Sequence, residues 1–423
     1  MPFRFVHAAD IHLDSPLRSL VLRDPELAEL IGNATRRALE TIIKICLDEQ
    51  VDALLIAGDL YDGDQTSMKT ARFLAAQIGR LVQAGIGVFI IRGNHDARSM
   101  ITAELSFPPS VKIFTGRAEA FRVDRENGEL PVVIHGMSFA KPHAPESLLP
   151  KYKAPVEGAV NIAMMHTSLA GGAGHDPYAP CLVSDLDAFG YQYWALGHIH
   201  QRSVTLGKST VVMPGIPQGR DINEAGAKSV TLVTIADDRT VHLEERITSV
   251  AQFERVPVSL DQIEEWPDMV TSIAKAMERA RAAAVSDHLV VRLALQGTTP
   301  LAWQMRRDLD LVKQAVEEAL PPGRSWIEKI EISCTAPGAS GDVAADPLLD
   351  LRELMRDDIG KSPGYTAAVA DIAKELCGQL PPELRGILGD DEESFQASLA
   401  ALIDEGTEDV LARLHAAARE GAN

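Results

Sequence analysis

The chain of 423 residues is too long for one ordinary core, so two or three domains are expected. Its formal net charge of -19 argues against a protein that coats nucleic acid through a broadly basic surface, though not against a nucleic-acid enzyme. Residues 1–248 carry 24 basic and 29 acidic side chains and the remainder 17 and 31, so the acidity lies mainly in the C-terminal part.

In chain order, the first half repeats a short apolar run, a Gly or polar turn, and a helical stretch, the pattern of α/β layers with buried strands. Strands are predicted at Phe3 to Ala8, Ala53 to Ala57, Val88 to Ile91, Val132 to Ile134, Val160 to Met165 and Tyr193 to Leu196. Apolar residues at helical spacing predict helices over Thr35 to Glu49 and Ser67 to Gln83. Val211 and Val212, Val230 to Ile235 and Val241 to Arg246 read as hairpin-connected strands completing a second sheet. A two-sheet sandwich flanked by helices fits this order, as a domain over residues 1–248.

The pattern then changes, and Asp261 to Ala284 (helix), His288 to Leu295 (strand), Met305 to Leu320 (helix) and Trp326 to Ile332 (strand) predict a small α+β domain over 249–335. Residues 336–423 read as a linker and a helical, acidic segment, with amphipathic stretches at Leu348 to Arg356, Tyr365 to Leu376 and Phe395 to Ala418. The apolar opening reaches Asp10 and His12 before a leader could form, and no run approaches the roughly 18 apolar residues of a membrane span. Cys46, Cys181, Cys334 and Cys377 lack CxxC spacing and read as reduced thiols. A cytoplasmic location without membrane contact is expected.

Five segments place acidic, amide or imidazole side chains directly after an apolar run: Asp10-Ile11-His12, Gly58-Asp59-Leu60-Tyr61-Asp62, Gly93-Asn94-His95-Asp96, His166, and Gly197-His198-Ile199-His200. Ligands of α/β sheets bind just outside the carboxyl ends of strands, so these residues are candidates for one site. Asp10 and His12, like His198 and His200, are two apart, and extended backbone would point both members of a pair the same way. Gly58, Gly93 and Gly197 each precede a ligand candidate, where a missing Cβ permits close backbone approach. Singly each motif is weak, because a DxH or HxH occurs by chance and a histidine after a strand is commonly structural; His7, His135, His143 and His175 take that plainer reading.

Together, the order DxH, GDxxD, GNHD, H, GHxH resembles the motif series of the calcineurin-like metallophosphoesterases. Phe5 to Asp14, Tyr193 to His200 and Pro214-Gly215-Ile216-Pro217-Gln218-Gly219-Arg220 resemble SbcD-type nuclease subunits. Asp59 to Gln65 and His166-Thr167-Ser168 are similar to the YhaO branch. The motifs span roughly residues 1–250. The resemblance implies a four-layer sandwich of two β-sheets flanked by helices, then a small α+β capping domain that steers DNA, and helices that dock on an ATPase.

Carried over residue by residue, the resemblance implies a first metal held by Asp10, His12, Asp59 and His200. The second would be held by Asp59, Asn94, His166 and His198, with Asp59 bridging. With only two carboxylates among these ligands, two divalent ions leave the pocket positive and attractive to a phosphodiester. The mixed nitrogen and oxygen donors suit manganese or iron better than magnesium, zinc stays open, and the resemblance implies manganese. His95 is implied as transition-state stabiliser or general acid. Asp96 would orient its imidazole or cap a turn. Arg220 would reach a phosphate or pair with a nearby acid. Many SbcD-type nucleases carry a second histidine three residues after the bridging aspartate; here Asp62 stands there, at the substrate side, and a carboxylate does not donate a proton at neutral pH unless strongly perturbed.

The expected activity is metal-dependent phosphodiester hydrolysis on DNA, as exonuclease and possible endonuclease subunit of an SbcCD-like repair complex. The chain has no GxxxxGK[ST] loop, so the SMC-type ATPase partner would be a separate polypeptide, and a homodimer is a further implied partner. Two alternatives stand beside it: a phosphoesterase for small esters or cyclic nucleotides, and a non-catalytic assembly subunit of such an ATPase complex.

Overall fold

The computed structural model describes residues 1–15, 25–61, 67–96, 108–123, 129–139, 144–169, 178–321, 323–337, 347–380, 387–389 and 391–420. The chain divides into two compact units, one from residues 1–15, 29–252 and 285–287, the other chiefly from 253–284 and 288–423.

The first unit contains β1 (Phe3–Ala8), β2 (Ala53–Ala57), β3 (Gly87–Ile91), β4 (Val111–Ile113), β5 (Glu119–Val123), β6 (Val132–Gly136), β7 (Val160–His166), β8 (Tyr193–Gly197), β9 (Ser203–Leu206), β10 (Thr210–Met213), β11 (Ser229–Ile235) and β12 (Val241–Ile247). They form two six-stranded sheets, ordered β12-β11-β1-β2-β3-β4 and β5-β6-β7-β8-β10-β9. The run β1-β2-β3-β4 is parallel, as is β6-β7-β8-β10. Every residue of β2 is buried, as expected for a strand covered on both faces. Alternation sorts its side chains: Leu54 and Ile56 face the helices Ala34–Asp48 and Met68–Gln83, while Leu55 packs between the sheets with Phe5, Phe89, Ile162 and Tyr193. Those helices bury one stripe each, Ala38, Leu39, Ile42, Ile43 and Cys46 in one, Ala71, Leu74, Ile78 and Leu81 in the other. Behind the second sheet Met165, Leu186, Tyr191 and Trp194 form a further layer. The fold is the four-layer sandwich of two sheets flanked by helices.

One strand placement differs from the sequence reading. The β11-β12 hairpin does not complete the second sheet; β11 pairs antiparallel with β1, Phe3 opposite Ile235 and Phe5 opposite Val233. Alternating burial explains the choice, since Leu232 joins the core under the helices and Val233 the core between the sheets. The second sheet is closed instead by β10 and β9, and β9 escaped the sequence reading because all four of its residues are exposed.

The second unit holds β13 (Ala251–Ser259), β14 (His288–Thr298) and β15 (Ser325–Thr335) in one sheet, packed on the helix Trp266–Ala283 through Val256, Met269, Ile273, Val291, Leu293 and Ile330. The single helix predicted over Met305 to Leu320 is two, Ala302–Arg307 and Leu309–Ala319, because Asp308 leaves helical geometry (φ -112°, ψ 40°). Among the described residues, α-helices follow at Pro347–Glu353, Pro363–Gln379 and Glu392–Glu420, with a π-helical segment at Leu354–Ile359. Among the described residues no helix is long and apolar enough to cross a membrane. The four cysteines are free thiols.

His7, on β1, is buried between the sheets: Nδ1 accepts from the Tyr193 hydroxyl at 2.9 Å and Nε2 donates to the Leu196 carbonyl at 3.0 Å. Burial, opposed by the Leu196 bond and assisted by the Arg202 charge, pulls its pKa from 6.5 to about 3. The unfolded chain therefore takes up a proton near pH 6.5 that the folded chain refuses, so this stability is complete above pH 6.5 and is lost as pH falls towards 3. At pH 4.5 the expected loss is about 2–3 kcal/mol. Melting curves of metal-stripped protein from pH 7 to 4.5 should fall less steeply for His7→Gln than for the parent; parallel curves would remove His7 from the explanation.

Candidate metal centre

All five motif segments lie at carboxyl ends of strands: Asp10 and His12 after β1, Asp59 after β2, Asn94 to Asp96 after β3, His166 ending β7, and His198 and His200 after β8. Backbone bonds lace the first two loops together, Asp10 N–H to Gly58 O at 3.0 Å and His12 N–H to Asp59 O at 3.0 Å. Carboxylates join the others. Asp10 accepts the His198 N–H at 2.9 and 3.1 Å, linking the loops of the two sheets, and Asp59 accepts the His95 N–H at 3.0 Å.

Two groups of donors result. Asp10, His12 and His200 converge with donor atoms within 4.8 Å of one another, and so do Asp59, His166 and His198. In the first, the Nε2 atoms of His12 and His200 lie 3.2 Å apart. In the second, His166 Nε2 lies 3.2 Å from Asp59 Oδ2 and 3.0 Å from Asn94 Oδ1. The expected extended backbone is not what brings them together. Asp10, His12, Asp59 and His198 have φ of 51°, 43°, 49° and 104°, a region disfavoured for residues with a side chain. His198 and His200 lie in different groups, whereas Asp10 and His12 share one.

Two glycines explain how such short loops fit. At Gly93 a Cβ would collide with Asp59 Oδ1 and stand 2.7 Å from His166 Nε2. At Gly58, φ is 95° and a Cβ would collide with the His166 ring.

The donor chemistry fits two divalent ions. His166 donates Nδ1–H to the Ala57 carbonyl at 3.0 Å, which turns Nε2 to the site, where it would serve as the donor to an ion once its proton is lost. His200 Nδ1 bonds Glu224 Oε1 at 2.7 Å with the same consequence. Imidazole, carboxylate and amide donors suit divalent transition metals. Charge inside the pocket is balanced at close range. Burial raises the Asp10 carboxyl to about 6, opposed by His166 and His200 and assisted by Asp59. Burial also raises Asp59, but the His166 charge and hydrogen bond outweigh it and hold this carboxyl below its ordinary value. Burial would lower His166, yet Asp59 and Asp10 bring it up to about 9.

The His95 ring packs edge-on against His12 with centroids 5.1 Å apart, at the border of the first group. Asp96 accepts the N–H groups of Leu60 (3.2 Å), Tyr61 (3.0 Å) and Gly93 (3.1 Å), which is the capping role, tying the loop after β2 to the loop that presents His95. Burial, then Asp59, raises this carboxyl to about 6 against those three bonds. Arg220 pairs with an acid, Nη2 lying 2.8 Å from Glu224 Oε1. Asp62, His143 and His175 lie outside the described residues. Glu224 was missed by sequence reasoning; it belongs to no motif, and only folding carries it to His200.

A calcineurin-like phosphoesterase family profile matches residues 3–202, and the profile for the middle domain of metallophosphoesterase YhaO matches 253–335. The metallophosphoesterase YhaO of Bacillus subtilis is 31% identical over 318 residues, 74% of this chain and 77% of its own length. The chain belongs to the YhaO family of calcineurin-like metallophosphoesterases. The DNA double-strand break repair protein Mre11 of Methanopyrus kandleri is 22% identical over 255 residues, 56% of this chain, which spans about half (52%) of that relative. A dimetal phosphatase from Danio rerio is similar over 59% of this chain and 99% of its own, with 12% identity and a TM-score of 0.33. This metallophosphoesterase has a site for a dinuclear divalent metal centre and is a metal-dependent phosphoesterase.

Gly93→Ala should weaken divalent-ion binding by at least about tenfold, as losses in the surroundings of metal ligands do, and should also lower the metal-free melting temperature, because the added Cβ meets the buried Asp59 carboxylate and His166 ring. Calorimetric titration with Mn2+ measures the first effect; parent-like binding would show that the glycine is not needed for the site.

Proposed function

We propose that this metallophosphoesterase is a phosphodiesterase acting on DNA, an exonuclease with endonuclease capacity, working as the nuclease subunit beside a separate SMC-type ATPase. The observation that carries the reading is His95: it belongs to neither donor group, yet its ring lies against His12 at the border of the site. Asp10, His12, Asp59, Asn94, His166, His198 and His200 would hold the two ions. Two divalent ions bound there supply Lewis-acid stabilisation of the phosphoryl oxygens and a nucleophile at neutral pH, with manganese the ion of choice. His95 donates a proton or hydrogen bond to the leaving oxygen. The likeness to the DNA double-strand break repair protein of Methanopyrus supports DNA as the substrate. Exposed apolar side chains on the C-terminal helices, among them Ile372, Leu376, Leu402 and Val410, support docking of a helical partner.

Linear duplex DNA with Mn2+, assayed beside a nitrophenyl phosphate ester, tests the substrate: degradation of the duplex is expected, and cleavage of the small ester alone would leave the small-ester alternative. His95→Ala should lower kcat by about 10²-fold or more with metal content unchanged. A purified variant digesting DNA at the parent rate would refute the role of His95.

A further inference from the structure

His166 and His200 are both held through Nδ1, but by different means. His166 has no exposed side-chain surface, and packing beside Gly58, Gly93 and Phe139 fixes its ring whatever Nδ1 bonds. The side chain of His200 is 29% exposed, so packing alone does not set its orientation. Glu224, 12% exposed, supplies the missing constraint from behind the ring, Oε1 lying 2.7 Å from Nδ1. The carboxylate is itself gripped by Arg220, which donates its backbone N–H to Oε2 at 2.7 Å and its guanidinium to Oε1 at 2.8 Å. Asp221 caps the intervening turn through Asn223 N–H at 2.7 Å, and Ile216 N–H bonds the His200 carbonyl at 3.1 Å. One segment thus holds His200 by both backbone and side chain.

We propose that Glu224 is a positioning residue of the metal centre: with Arg220 as its counter-ion, it fixes His200 as the Nδ1–H tautomer and aims Nε2 at the ion position shared with Asp10 and His12. The carboxylate is occupied by Arg220 and by Nδ1 and therefore stands behind the imidazole as a charged acceptor, which strengthens Nε2 as a donor. Arg220 acts through Glu224. The inference rests on the assignment of His200 as a metal ligand and needs no assumption about DNA.

The test is a Mn2+ titration of full-length parent, Glu224→Gln, Glu224→Ala and Arg220→Met, each checked by far-ultraviolet circular dichroism. Glu224→Gln keeps the acceptor and removes the charge; Glu224→Ala removes both. The parent should bind two ions per chain. In Glu224→Gln one of them should weaken by about 10- to 100-fold while the other stays as in the parent, with an equal or larger loss in Glu224→Ala and a smaller one in Arg220→Met. At Mn2+ concentrations that fill the parent, the electron paramagnetic resonance signal of the Gln variant should change from a coupled pair to an isolated ion, and excess Mn2+ should restore the pair. Parent-like affinity at both positions in Glu224→Gln, with or without a lower melting temperature, would overturn the proposal and leave Glu224 a tie of the 220–224 turn. A parent that binds two ions but leaves DNA intact would refute the nuclease reading and not this one.

Discussion

Asp10 is a carboxylate without solvent, and the site depends on how it is satisfied. Its oxygens accept the backbone N–H of His198, a residue delivered by the other sheet. A buried charge needs hydrogen bonds or counter-charges at close range, because low-dielectric surroundings penalise it heavily otherwise. The bond to His198 therefore both solvates Asp10 and fastens the carboxyl end of β8 to that of β1. Asp59 repeats the device with His95, and Asp96 with Leu60, Tyr61 and Gly93. Three acidic side chains thus act as fasteners between loops before any chemistry is considered.

Those fasteners account for backbone that would otherwise relax. Left-handed conformations at Asp10, His12, Asp59 and His198 cost free energy, of order 1 kcal/mol or more each, and persist where the surroundings over-determine them. The backbone bonds of Asp10 and His12 to Gly58 and Asp59, with two glycines where no Cβ fits, provide that constraint. The returns are geometric: a sharp turn after each strand brings imidazoles from both sheets within a few ångströms of one another.

The net charge of the chain does not set the charge at the site. A net charge of -19 would repel a polyanion, yet the site gathers imidazoles around few carboxylates, and divalent ions would add positive charge there. Most of the acidic excess belongs to residues after 248. The His200, Glu224 and Arg220 chain of contacts belongs to the first donor group.

Sequence alone determined the strands whose burial is two-sided, such as Ala53–Ala57, and the residues that follow them, because apolar runs, glycines and polar ends are local features. The segments carrying Asp10, His12, Asp59, Asn94, His166, His198 and His200 were legible as candidates for the same reason, while their roles as metal ligands were implied only by the resemblance of the motif order to a known family. Tertiary structure alone decided two matters. It placed the β11-β12 hairpin against β1, a pairing across more than 200 residues that no local pattern encodes. It brought Glu224 behind His200 and gave Arg220 an acid to hold, because partners of a metal ligand are chosen by proximity in the fold and carry no spacing of their own.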